Sequence, residues 1–159
     1  QDDPRKCSAA KLVKFNLAKP VTRTTSRTLV LNPFSKKILL KSDRKLVHSV
    51  TGIDCSWNLS VPVFKKPFTG VGRKLPPLLA GNPINYSKLN KLTTVEALAG
   101  AVYILGESEL THTLLQKFKW GPTFFALNEN LLGEYSKAKS ESEILEISQE
   151  YGLTDAQFM

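Results

Sequence analysis

Three polar clusters stand where short apolar runs end, the place from which side chains of an open α/β sheet reach a ligand. They are Leu31-Asn32-Pro33, Ile53-Asp54-Cys55-Ser56-Trp57 and the stretch from Leu79 to Thr94, which contains Gly81-Asn82-Pro83-Ile84-Asn85-Tyr86. The last is a turn-rich insertion between two apolar segments, and such insertions inside a compact domain commonly carry function. Trp57 offers a flat apolar face to a heterocycle. The same residues also read as ordinary core (Trp57) and as turn residues that satisfy local backbone (Asn82, Asn85). Asp54 is the only acidic residue between Asp43 and Glu96. General-base chemistry there falls to Asp54, to a backbone group or to the substrate itself.

Other chemistries are poorly supplied. There is no G-x-G-x-x-G and no Walker-type G-x-x-x-x-G-K-[ST], and Gly70-x-Gly72 alone makes no phosphate cradle. Cys7 and Cys55 lack C-x-x-C spacing, and His48 and His112 lie far apart, so no four-ligand metal site is expected. No window approaches 18 consecutive apolar residues, so no membrane helix is expected. The opening Gln1-Asp2-Asp3-Pro4 lacks a secretory pattern, and a cytoplasmic protein with reduced thiols is the expectation.

The elements that must position these clusters change character along the chain. With 159 residues, 42% of them hydrophobic, the length suits one domain or two small lobes sharing a core. Ser8 is read as the N-cap of a helix carrying Leu12 and Phe15 inward and ended by Pro20. Thr28 to Leu31 and Ile38 to Leu40 read as short strands, and Val47 to Ile53 as a third. Phe64 to Lys74, with Pro67, Gly70 and Gly72, reads as a connection, and Pro77 to Ala80 as a short buried strand. From Thr93 the pattern is helical. Thr93-x-x-Glu96 is a capping box before an apolar run to Leu105. Leu110, Leu114, Leu115 and Phe118 mark a second helix, and Gly121-Pro122 opens a third through Tyr135. Ser140-x-x-Glu143 caps a fourth.

Charge divides at nearly the same place. Residues 1–80 hold 16 Lys+Arg against four Asp+Glu, a net of +12, while residues 81–159 hold six against ten, a net of −4. A basic half joined to an acidic one points to a polyanionic partner, or else to a merely solvated basic surface.

Several blocks then occur in a fixed order. They are Asp3-Pro4-Arg5-Lys6-Cys7-Ser8-Ala9-x-Lys11-Leu12, Asp54-Cys55-Ser56-Trp57, Arg73-x-Leu75-Pro76 and Leu79-Ala80-x-Asn82-Pro83-x-Asn85-Tyr86, followed by Lys91-Leu92-Thr93-Thr94-Val95-Glu96-Ala97 and Phe118-Lys119-Trp120-Gly121. Together they resemble the small-subunit ribosomal-RNA aminocarboxypropyltransferases over nearly the whole chain.

The resemblance implies a SPOUT-like, trefoil-knotted α/β fold. An α/β lobe with a parallel sheet (residues 1–75) would precede a mainly helical lobe (residues 76–159). It implies transfer of the 3-amino-3-carboxypropyl group of S-adenosylmethionine to N3 of a modified uridine in small-subunit rRNA, with methylthioadenosine released. By that similarity Leu31, Pro33, Leu75, Leu92 and Ala97 line the adenine site, and the Ile53 carbonyl meets the ribose. Trp57 and Ser60 form the methyl pocket, Ser8 and Thr94 hold the carboxylate, and Asn90 joins the cofactor set. Asp54 is either the base for the N3 proton or an electrostatic partner of the sulfonium. Arg5, Lys6, Lys11, Arg23, Arg27, Lys65, Lys66, Arg73 and Lys74 are the expected RNA phosphate contacts. The implied partner is rRNA or a pre-ribosomal particle, met by a monomer without metal. Methyl transfer and non-catalytic RNA binding are the competing readings.

Overall fold

A computed structural model describes residues 7–53 and 68–153. The sheet is built around β1 (Thr28–Leu31), which is buried along its whole length. On either side lie β2 (Ser49–Thr51) and β3 (Val71–Arg73), both parallel to it, in the order β2-β1-β3. A parallel strand covered on both faces reads as a continuous apolar run, which is why Thr28-Leu29-Val30-Leu31 is legible in the sequence. The third strand is not, because it lies inside the glycine-rich stretch expected to be a connection. Gly70 has φ 131, and a Cβ there would sit 2.4 Å from the Thr28 carbonyl oxygen. Only glycine lets the chain enter the sheet this close to β1.

Among the described residues five α-helices accompany the sheet. They are α1 (Ser8–Lys14), α2 (Thr94–Ile104), α3 (Ser108–Leu115), α4 (Gly121–Tyr135) and α5 (Glu141–Glu150). α2 starts at the expected capping box and is apolar nearly all round, with Val95, Ala99, Ala101 and Ile104 fully buried. It packs against α1, α3, α4 and β2. One apolar cluster draws on both sides of the charge boundary, joining Leu12, Leu29 and Leu39 to Val95, Phe124 and Tyr135. No helix among the described residues is long and apolar enough to cross a membrane.

This architecture corrects the expected SPOUT-like trefoil knot. Among the described residues the fold is α/β, with a small three-stranded parallel sheet and five α-helices, and no knot is shown. A knot is a property of global threading that no local pattern carries. The expectation rested on the resemblance alone.

Four local readings are corrected as well. Ser8 is not the N-cap of α1, a position held by Cys7. The helix ends well before Pro20, because Asn16 takes φ 58 and the Leu17 and Asn16 N–H groups bond back to the Leu12 and Val13 carbonyls at 2.9 and 3.0 Å. Ile38 makes a single parallel bridge to Lys74 rather than a strand, and its N–H is taken by Glu141 Oε1 at 2.6 Å. Pro77 to Ala80 is buried but unpaired apart from one antiparallel bridge, Leu79 to Leu89. The prolines donate nothing, and the Asn128 side-chain amide takes both the Leu79 N–H and the Leu79 carbonyl at 2.8 Å. A side chain there does what a neighbouring strand would.

Candidate functional site

Because the three strands run parallel, their carboxyl ends share one edge of the sheet. Leu31 closes β1 and is followed by Asn32 and Pro33; Gly52 and Ile53 follow β2; Lys74 and Leu75 follow β3. Asn32 donates its N–H to the Arg73 carbonyl at 2.9 Å, tying the first and third ends together. The Asn32 side chain accepts the Phe34 N–H at 2.9 Å, a local turn that leaves Pro33 exposed beyond the strand. Leu31, Pro33, Ile53 and Leu75 are thus strand-end residues of one edge.

The N-terminus of α2 faces the same region. A Cβ on Gly52 would stand 3.3 Å from Thr94 Cγ2 and 3.5 Å from Leu98 Cδ2, so the end of β2 abuts the first turn of the helix. From the other side the Ser8 hydroxyl oxygen accepts the Val95 N–H at 3.1 Å. Ser8 and Thr94, 86 positions apart by their numbers, are brought to one helix start. Such a start carries partial positive charge and favours an anionic group. Leu75, Leu92 and Ala97 are partly buried against the core nearby.

Between strand edge and helix runs the turn-rich segment, and Glu96 anchors it. This glutamate is fully buried. Its carboxylate accepts from Thr93 N–H at 2.9 Å, Thr93 Oγ1 at 3.0 Å, Asn82 Nδ2 at 2.8 Å and Gly81 N–H at 2.6 Å. The capping box is legible in the sequence; that the same carboxylate also pins the loop is not. Its one sequence signal is that Glu96 ends a long stretch holding no acid but Asp54. Asn90, left-handed at φ 59, accepts the Leu78 N–H on its Oδ1 at 3.3 Å. Its Nδ2 is buried without a hydrogen-bond partner among the described residues. An orphaned buried donor two positions before Leu92 and four before Thr94 marks where a ligand acceptor would be satisfied.

The basic residues divide. Lys11, Arg23 and Arg27 are exposed, and Lys11 Nζ stands 4.8 Å from the Phe118 ring centroid. Lys74 is half-buried. Arg73 is engaged internally: its guanidinium bonds the Asp43 carboxylate at 3.1 and 3.2 Å, with only 15% and 8% of the two side chains exposed. Asp43 carried no signal in the sequence, because its partner is thirty positions away. Asp54, Trp57 and Ser60, with Arg5, Lys6, Lys65 and Lys66, lie outside the described residues. His48 and His112 are both exposed.

Comparison with known proteins gives a consistent result. Residues 29–152 match the family described as "Ribosome biogenesis protein, C-terminal". The chain is 43% identical over 152 residues to the 16S rRNA aminocarboxypropyltransferase of Sulfurisphaera tokodaii, covering 94% of this chain and 89% of that one. It is 42% identical over 154 residues to the namesake of Thermoplasma volcanium, covering 95% and 93%. Among solved structures, the SAM-dependent rRNA:acp-transferase Tsr3 of Vulcanisaeta distributa superposes with a TM-score of 0.86 at 34% identity. That match covers 99% of this chain and 87% of that one.

Proposed function

The chain belongs to the ribosome biogenesis family that includes the 16S rRNA aminocarboxypropyltransferases, and on that premise we propose that it transfers the 3-amino-3-carboxypropyl group of S-adenosylmethionine to small-subunit rRNA. The observation that carries this reading is the meeting of Ser8 and the end of β2 at the first turn of α2, with the buried Asn90 amide four positions before Thr94. A nucleoside bearing an amino acid arm fits that donor set. Its heterocycle needs apolar walls with a few backbone groups, and its carboxylate needs a helix start.

We assign the parts as follows. Leu31, Pro33, Leu75, Leu92 and Ala97 wall the adenine, the Ile53 carbonyl accepts from the ribose, and Asn90 donates its free N–H to the bound nucleoside. Ser8 and Thr94 hold the carboxylate; with its acceptor side taken by Val95, the Ser8 hydroxyl has its hydrogen left to donate. When bound, the sulfonium supplies three electrophilic carbons, so which one is aimed at the nucleophile decides the product. The chain's task is therefore orientation. Clamping the carboxylate at the helix start fixes the arm, while Trp57 and Ser60 enclose the methyl group. The acceptor is the N3 nitrogen of a modified uridine. Lys11, Arg23 and Arg27 contact its flanking phosphates. The protein works as a cytoplasmic monomer, and helix-end and backbone groups meet the polar needs of this site without a metal.

The test uses S-adenosylmethionine labelled separately in the methyl group and in the carboxypropyl arm, incubated with the protein and small-subunit rRNA. Arm label in RNA with methylthioadenosine as by-product is the expected result. Methyl label in RNA with S-adenosylhomocysteine would make the protein a methyltransferase and overturn the reading.

A further inference from the structure

Between Ala80 and Lys91 the backbone is held at several points. Ala80 N–H bonds the Lys88 carbonyl at 2.9 Å, Ser87 N–H the Ala80 carbonyl at 2.6 Å and Lys88 N–H the Asn85 carbonyl at 2.9 Å. Asn82 is buried and turns both its amide atoms inward. Its Oδ1 accepts the Asn85 N–H at 3.0 Å, while its Nδ2 reaches the Lys91 carbonyl at 3.2 Å and Glu96 at 2.8 Å. Ser87 and Asn90 both take left-handed conformations, at φ 65 and 59. Such positions persist only where the surroundings over-determine the chain.

A loop fixed this firmly nevertheless leaves Ile84 79% exposed and Tyr86 57% exposed. It cannot collapse to bury them, and the Tyr86 hydroxyl makes no hydrogen bond among the described residues. The exposed side chains around the tip are polar or cationic. Lys88 and Lys91 are exposed, and no acidic residue lies between Gly81 and Val95, although this half of the chain is net negative. The segment runs directly into Asn90, Leu92 and Thr94 of the proposed cofactor site, and the Asn82–Lys91 bond holds the two together. An exposed aromatic ring on a pinned loop that also carries Lys88 and Lys91, and that is bonded to the segment of the proposed site, has the chemistry of a base-stacking platform.

We propose that Tyr86, with Ile84 two positions before it, stacks on an RNA base next to the acceptor nucleotide and so positions the target over the cofactor site. This rests on the functional reading above. The ring's face is the working part. The hydroxyl is dispensable, and Lys88 and Lys91 add attraction for the adjoining phosphates.

The test compares the full-length wild type with Tyr86→Ala and Tyr86→Phe. RNA affinity is measured without S-adenosylmethionine, on a small-subunit rRNA hairpin, and arm transfer is followed separately. Tyr86→Ala should weaken RNA binding and raise KM for RNA about tenfold or more. Tyr86→Phe should stay within about twofold of wild type, and S-adenosylmethionine affinity and Tm should be unchanged in both. Wild-type RNA affinity in Tyr86→Ala would overturn the proposal. So would equal losses in the two variants, which would assign the effect to the hydroxyl. Absence of arm transfer by the wild type would overturn the functional reading instead, and the RNA affinities would still decide the role of Tyr86.

Discussion

The Ser8 hydroxyl oxygen accepts the Val95 backbone N–H at 3.1 Å, so a residue of α1 caps the first turn of a helix through a partner 87 positions away. Both residues are buried. This bond fastens α1 to the first turn of α2 where the proposed carboxylate site lies. Ser8→Ala leaves a buried N–H without a partner, which costs about 1–2 kcal/mol. Thermal unfolding should show Tm lowered by about 4 °C, and titration calorimetry should show weaker S-adenosylmethionine binding. A variant with wild-type Tm would mean that water replaces the hydroxyl at no cost.

Two glycines should respond in opposite directions. A Cβ on Gly81 would lie 2.5 Å from both the Cα and the N of Phe124, backbone atoms of α4 that cannot step aside. Gly81→Ala should cost about 3 kcal/mol or more, or yield no folded protein. Gly133 lies inside α4 with nothing within 4 Å of its would-be Cβ. Gly133→Ala should therefore gain about 0.5–1 kcal/mol through helix propensity. Denaturant midpoints measure both, and a loss at Gly133 would contradict the packing described.

Arg73 and Arg27 separate stability from RNA attraction. Breaking the Arg73–Asp43 pair from one side strands a buried charge, so Arg73→Met should destabilise by about 3 kcal/mol. The double variant Asp43→Asn/Arg73→Met removes both charges and keeps an acceptor for the Leu40 N–H, which Asp43 now bonds at 2.9 Å. Its RNA binding should keep the wild-type slope of log K against log salt. Arg27→Ala, at an exposed position, should leave Tm unchanged and lower that slope by about 1. A smaller slope in the double variant would return Arg73 to the RNA face.

Tyr135 sets a limit on alkaline stability. Burial pushes its phenol pKa from 10.0 up to about 12, only partly opposed by the hydrogen bond with Ser148. The neutral hydroxyl donates to the Pro77 carbonyl at 2.8 Å, joining α4 to the buried segment beside the loop. The unfolded chain releases this proton near pH 10 while the folded one retains it. The contribution is therefore full below pH 10 and is lost as pH rises toward 12. Tyr135→Phe should lose about 1 kcal/mol at neutral pH and flatten the fall in Tm between pH 10 and 12. An unchanged alkaline fall would assign the effect to other groups.

The starts of α2 and α5 and the central strand are legible because their signals are local. Thr93 and Glu96 are three positions apart, and the run from Leu29 to Leu31 is apolar wherever it is placed. Strand β3 was missed because its glycines, which read as a connection, are there to let the backbone approach β1. The segment from Pro77 to Ala80 was misread because burial alone does not decide pairing. Its Leu79 backbone is met by a side chain of α4, and Leu78 and Ala80 bond the loop that follows rather than a strand of the sheet.

By itself the sequence determined which groups are available. It supplied a basic half and an acidic half, the ordered blocks that mark the family, and a polar insertion between two apolar segments. Tertiary structure alone decided what each group does. It turned Ser8 from a cap of its own helix into a cap of α2, took Arg73 away from solvent into a pair with Asp43, and made Glu96 the anchor of a loop as well as a helix cap. The reason is that a hydrogen bond or ion pair depends on separation in space. The partners here lie 87, 30 and 15 positions apart, beyond the reach of any local pattern.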